Sequence, residues 1–127
     1  MKGTAGFFFG TAVICVIGGM TWGIVMAATG DHLLSPAHGH LNLVGWVTMA
    51  LFGIFYHLTP QADGKLARIH YFIALAGVCA MVPGIAMAIE GKTEVLAILG
   101  SFLTMISMLI FGYTVLKYRG GGDATQT

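Results

Sequence analysis

Charged side chains are scarce in this sequence: 9% of its 127 residues are Asp, Glu, Lys or Arg, whereas 57% are hydrophobic. Soluble domains are about a quarter charged. Six basic and five acidic side chains cannot cover the surface of a water-soluble protein of this length. The low charge content therefore excludes an ordinary soluble domain and predicts an integral membrane protein whose solvent is the lipid bilayer. The net charge of +1 also excludes the basic surface that a nucleic-acid partner needs.

Cysteine is nearly absent as well. Cys15 and Cys79 lie in separate apolar segments, and neither belongs to a CxxC pair of the kind that supplies thiolate ligands to a metal. A buried cysteine usually behaves as a small hydrophobic residue. We therefore expect neither a thiolate metal site nor a disulfide.

Long apolar segments dominate what is present. Each has the length of about 20 residues that a membrane-spanning helix needs, and they cover residues 5–29, 37–58, 66–89 and 95–116. Short polar loops join them, so consecutive helices should be antiparallel neighbours. The sequence predicts an all-α integral membrane bundle of four helices, up-down-up-down, formed by residues 1–119. The glycine-rich polar tail, residues 120–127, is predicted to be disordered.

The basic residues favour one side of this bundle. Five basic residues lie on the favoured side: Lys2, Lys65, Arg68, Lys117 and Arg119. Only Lys92 falls on the opposite side. Because cytoplasmic loops carry the excess of Lys and Arg, the N- and C-termini are predicted to be cytoplasmic. The expected location is the inner membrane of a bacterium.

Glycines recur at the spacing that lets helices approach closely in lipid. GFFFG spans residues 6–10 and GMTWG spans residues 19–23. These surfaces either pack within one four-helix unit or join protomers of a homo-oligomer. Both interpretations stay open from the sequence.

Five histidines are many for so hydrophobic a chain, because ionisable groups at membrane depth are costly. His32, His38 and His40 belong to one predicted membrane surface, and His57 and His70 belong to the other. His40 and His57 should lie roughly 25 Å apart along one helix. His57 and His70 are expected to form hydrogen bonds at the turn between the second and third helices.

The HxH pair, His38 and His40, has a definite geometry. Two residues apart on a regular helix, the imidazoles point roughly 200° apart and cannot share one metal ion. The His38 side continues through small and partly polar residues: Asn42, Gly45, Met49 and Gly53. The His40 side continues through apolar residues that suit a porphyrin face or lipid: Val44, Val47, Leu51 and Ile54.

The stretch AHGHLNLVGWVTMALFGIFYHLTP, residues 37–60, resembles the tenth helix of subunit I of heme-copper oxidases and nitric oxide reductases. There an HxH pair precedes a glycine-bearing apolar helix that ends in an aromatic-rich turn and proline. The stretch LARIHYFIALAGVCAMVPG is similar to the family's eleventh helix, with His70, Gly77 and Pro83 at matching positions. The resemblance covers residues 35–84, and the chain also resembles small four-helix homologues of that subunit.

This resemblance implies heme b near the non-cytoplasmic face. The position of His38 matches the ligand of the high-spin heme, and that of His40 matches a ligand of the low-spin heme. The family's copper-site histidines lie on helices that this chain lacks, so oxygen or nitric oxide reduction by this chain alone is not expected. The implied role is electron transfer or heme handling, with His40 as the first-choice axial ligand and His38 as the second. The residues expected beside the cofactor are Asn42, Trp46, Met49 and Phe52.

The same resemblance implies an oligomer, because the family's twelve helices form three arcs of four. Three copies of this chain would rebuild such a body, and a homodimer sharing one heme between two histidines is the competing arrangement. Two alternatives of other classes remain. One is a copper or zinc site built from His32, His38 and His40. The other is a structural or assembly subunit without a cofactor.

Overall fold

The computed structural model describes residues 1–119 and is all-helical over that range. Four long helices form it: α1 (Gly3–Thr29), α2 (Ser35–Leu58), α3 (Lys65–Ile89) and α4 (Val95–Tyr118). Each is long and apolar enough to cross a membrane, which confirms the predicted number and type of elements. The predicted disordered tail, residues 120–127, lies outside the described residues.

Glycine and proline set the ends of these helices. Gly30 closes α1 in the left-handed conformation, with φ of 72°, and its N–H donates to the carbonyl of Met26 over 2.9 Å. Pro36 occupies the first turn of α2, where a missing N–H costs nothing. Pro60 opens the short 3-10 turn Pro60–Ala62 that follows α2. The first three helices end at Thr29, Leu58 and Ile89, which confirms the ends predicted for them.

The helices associate through close antiparallel contacts in two pairs. In the first pair, Gly53 of α2 faces Ala5 and Phe8 of α1, while Gly45 faces Cys15 farther along. In the second pair, Gly77 and Gly100 mark contacts between α3 and α4, where an added methyl group would meet Thr104 or Met81. These glycines let the backbones of each pair approach closely.

The second helix is not a regular α-helix. Residues Leu41–Thr48, directly after the HxH pair, are π-helical, with backbone hydrogen bonds spanning five residues instead of four. The faces predicted for a regular helix therefore shift. Val44 was expected beside His40, but it lines a groove shared with α3 and α4. Leu43 takes its place on the outer face, and its side chain is 61% exposed.

The core lies at the end of the bundle where α1 begins and α2 ends. Phe8 is fully buried there, stacks on Tyr56 with ring centroids 5.6 Å apart, and meets the edge of Phe52. Ala67 and Ala74 of α3 close the same cluster. Elsewhere the helices expose large apolar side chains along most of their length, as a lipid-facing surface does.

Candidate functional site

His38 lies in the interface between α1 and α2. Its Nε2 is 2.9 Å from the carbonyl oxygen of Gly19. Because a carbonyl can only accept, Nε2 carries the proton and donates this hydrogen bond. The ring meets the edge of Trp22, and a methyl group at Gly23 would lie 3.2 Å from Nε2. The glycines of GMTWG therefore make room for this imidazole, and α1 holds it.

Asn42 stands one turn after His38 and faces the same interface. Its amide nitrogen lies 3.1 Å from Nε2 of His38, and its Oδ1 packs against Gly19. Because both nitrogens are donors once Nε2 holds the proton, this contact is not a hydrogen bond in that tautomer. Among residues 1–119 this oxygen is buried without a hydrogen-bond partner. An unpaired buried acceptor costs about 1–3 kcal/mol. Asn42 is thus the least satisfied polar group of the interface.

The side chain of His40 bonds to the backbone of its own helix rather than to α1, in agreement with the divergence that the HxH spacing predicted. Its Nδ1 donates to the carbonyl of Pro36 over 2.7 Å, which places the neutral ring's lone pair on Nε2. Within the described residues this Nε2 accepts no hydrogen bond. A histidine that ligates a metal commonly donates its other ring N–H to a backbone carbonyl. His40 therefore presents an oriented and uncommitted ligand atom on the outer side of α2.

The other predicted ligands are not gathered around His40. His32 lies in the exposed loop after α1, where its Nδ1 is 3.2 Å from the carbonyl oxygen of Gly30. Residues 1–119 contain no group of three His, Cys, Asp or Glu side chains placed to hold a metal ion. Trp46 packs against Phe9 of α1, with ring centroids 6.3 Å apart. Within one chain, His32, His38 and His40 thus do not form a three-histidine metal site.

A second histidine site, not predicted in this form, lies in the core. His70 is completely buried; its Nδ1 is 2.9 Å from the hydroxyl of Tyr56, and its Nε2 is 3.1 Å from Oγ of Ser107. These bonds join α2, α3 and α4. The ring centroids of Phe8 and Phe52 lie 4.9 and 4.5 Å from the centroid of the imidazole. His57, which was expected to share the turn with His70, is exposed.

Either neutral tautomer satisfies this site, because both hydroxyls can donate or accept. The arrangement therefore stabilises the meeting of three helices without requiring a charge in the core. One signal in the sequence could have indicated it. Ser101, Thr104 and Ser107 form a polar stripe on α4 at helical spacing, and Ser107 is the buried member that meets the imidazole.

A groove of about 250 Å³ runs beside this cluster, between α2, α3 and α4. Its walls are mainly apolar, with hydroxyls from Thr48 and from the stripe on α4. Met49 and Phe52, expected to pack near the cofactor, line this groove. His40 is not among its lining residues.

No protein-family model matches this chain, and no solved structure matches it. Over the described residues the protein is all-helical, and four of its helices are long and apolar enough to cross a membrane. One histidine of the HxH pair is fixed against α1, and the other is turned outward with a free ring nitrogen.

Proposed function

We propose that the protein is a membrane-integrated, homo-oligomeric heme b protein in which His40 is an axial ligand. The observation that supports this most directly is the state of the His40 ring. The bond from Nδ1 to the Pro36 carbonyl, 2.7 Å long, fixes both the tautomer and the ring orientation. The lone pair needed for iron is then on Nε2, on the outer side of the helix.

The surface beyond His40 suits a flat apolar cofactor. Leu43, Val47, Leu51 and Ile54 follow it along α2 and are all exposed. A porphyrin placed against this stripe would bury apolar surface. In water, this burial would contribute a binding free energy of about 25 cal/mol for each Å² of apolar surface. In lipid the gain is smaller, so iron ligation and shape fit would supply most of the affinity.

A second copy of the chain would complete the site. His38 would have to break its bond to Gly19 before it could ligate anything through Nε2. The second axial ligand is therefore assigned to a histidine of a neighbouring protomer, in either a homodimer or a homotrimer. Heme b held by two histidines supplies one-electron chemistry. This chain's residues would bind it and keep both axial positions filled, which suits electron transfer or heme handling.

The proposed location is the inner membrane of a bacterium, with both termini in the cytoplasm. Lys2, Lys65 and Arg68 belong to the end of the bundle where α1 and α3 begin, and Lys117 belongs to the end of α4. His40 is at the other end, near the start of α2. Under the positive-inside rule this arrangement puts the heme near the outer, periplasmic surface.

The test is an absorption spectrum of protein produced with heme supplied. We expect a Soret band in the wild type and in His57→Ala, whose histidine is exposed near the opposite surface. We expect His40→Ala to lose that band while remaining folded by circular dichroism. A wild type that purifies without heme, or a band unchanged in His40→Ala, would overturn the proposal.

A copper or zinc site is the alternative that the same ring nitrogen supports, because a free imidazole nitrogen also suits these metals. Metal analysis of the purified wild type and of His40→Ala distinguishes the two. Copper or zinc bound without heme, and lost in His40→Ala, would replace the heme proposal with a metal site shared between protomers.

A further inference from the structure

A second cleft lies between the first turns of α1 and α3, at the end of the bundle opposite to His40. Its volume is about 540 Å³, and its walls come from α1, α3 and the loop between α2 and α3. Gly3, Thr4 and Phe7 line one side, and Tyr71, Phe72 and Leu75 line the other. Asp63 and Arg68 contribute the two charged groups. We refer to it as the α1–α3 cleft.

The two charges of the α1–α3 cleft are not paired with each other. The only ion pair within residues 1–119 joins Lys92 to Glu90, at the far end of α3. Both Asp63 and Arg68 are exposed. The cleft therefore presents a separated positive and negative group to whatever enters it.

Asp63 is fixed in place but retains acceptor capacity. Its Oδ1 accepts from the hydroxyl of Thr4 over 2.6 Å, and its Oδ2 accepts from the backbone N–H of Thr4 over 3.2 Å. An ionised carboxylate has about four acceptor sites, so two remain. The carboxylate is consequently an oriented acceptor for a further N–H donor.

The remaining walls of the α1–α3 cleft are apolar and lead away from these charges. Phe7 is 66% exposed and Phe72 is 65% exposed. Tyr71 stands between them, held by its hydroxyl 2.7 Å from Oγ1 of Thr11. One end of the cleft is thus zwitterionic, and its sides are apolar and aromatic.

We propose that the α1–α3 cleft binds a phosphatidylethanolamine molecule of the surrounding bilayer. The guanidinium of Arg68 pairs with the phosphate, since arginine forms strong, directional bonds to phosphate oxygens. The ammonium donates to the free acceptor sites of Asp63. An acyl chain lies along Phe7, Phe72 and Leu75. This inference goes beyond the proposed heme site and requires only that the helices are in a membrane.

The chemistry separates this lipid from the other common phospholipids. Phosphatidylglycerol carries a phosphate but no cation, so its hydroxyls could donate to Asp63 but would not neutralise the carboxylate. Phosphatidylcholine carries a cation without N–H groups, so it cannot donate to the carboxylate. Of these three lipids, only phosphatidylethanolamine offers both a phosphate for Arg68 and a cationic N–H donor for Asp63.

Native mass spectrometry of the full chain in detergent tests this, with equimolar phosphatidylethanolamine, phosphatidylglycerol and phosphatidylcholine of identical acyl chains. We expect the wild type to retain phosphatidylethanolamine preferentially. Arg68→Gln should weaken retention of phosphatidylethanolamine about tenfold or more, the loss expected for a hydrogen bond to a charged group. The control Lys92→Gln removes a charge at the other end and should leave retention unchanged.

The variant Asp63→Asn tests the headgroup choice separately. An amide oxygen still accepts from the Thr4 N–H, and the amide N–H₂ can donate to the Thr4 hydroxyl, so the turn keeps its contacts. We expect binding to persist while the preference for phosphatidylethanolamine over phosphatidylcholine disappears. Equal retention of all three lipids by the wild type, a preference for phosphatidylglycerol, or unchanged retention by Arg68→Gln would overturn the proposal.

Discussion

Substitution of Gly100 by alanine tests the packing of α3 against α4 most directly. A methyl group at this position would lie 2.6 Å from the Cα and the backbone nitrogen of Met81. Carbon atoms in ordinary contact are about 3.5–4.0 Å apart. Because the obstructing atoms are backbone, no side-chain rotation can relieve the contact. The two helices must therefore separate locally by about 1 Å.

The size of the effect follows from two opposing terms. Overpacking of this kind costs about 1–3 kcal/mol, whereas replacing glycine by alanine inside a helix gains up to about 1 kcal/mol. Gly112, on the same helix, provides the matched control, because a methyl group there would meet no atom within 4 Å. The helix-forming gain is common to both variants. The difference between them isolates the steric cost, and we expect it to be about 1–3 kcal/mol.

Reversible unfolding in mixed micelles, followed by circular dichroism as the fraction of sodium dodecyl sulfate rises, measures both free energies of unfolding. We expect Gly100→Ala to unfold at a lower detergent fraction than the wild type, and Gly112→Ala to unfold at the same or a higher fraction. Equal stability of the two variants would show that α3 and α4 do not approach each other as closely as described.

Two further perturbations address the other buried contacts. Tyr56→Phe and Ser107→Ala should each lower the free energy of unfolding by about 1 kcal/mol, since the remaining hydroxyl can still pair with the ring N–H of His70. The double variant should lose more than the sum, because that N–H is then unpaired; simple additivity in a double-mutant cycle would contradict this. Gly19→Ala places a methyl group where the side chain of Asn42 in α2 already lies. This variant should lower the free energy of unfolding by about 1–3 kcal/mol, because α1 and α2 must separate. Its neighbour Gly18, with open space around it, should tolerate alanine, and an equal loss in both variants would refute this explanation.

Much of the outline could be predicted from the sequence because its causes are local. The number of helices follows from the length of apolar chain needed to cross a bilayer. Their ends follow from residues such as Gly30 and Pro36, whose backbone preferences act within one turn. The divergence of His38 and His40 also needed only the geometry of one helix turn, because the helix remains α-helical through His40. The α-helical repeat ends at Leu41, and the faces predicted beyond that point were wrong for Val44.

The remaining features depend on contacts between distant parts of the chain. Spacing marked Gly10 and Gly19 alike as packing residues, but only Gly19 meets another helix, whereas Gly10 has open space around it. The buried site of His70 depends on partners from other helices, among them Ser107, 37 residues away in the chain. Hydrophobicity and turn residues determine where each helix starts and stops. The face that each helix buries is determined by the neighbouring helices that pack on it, because a buried polar atom is tolerated only where a partner reaches it.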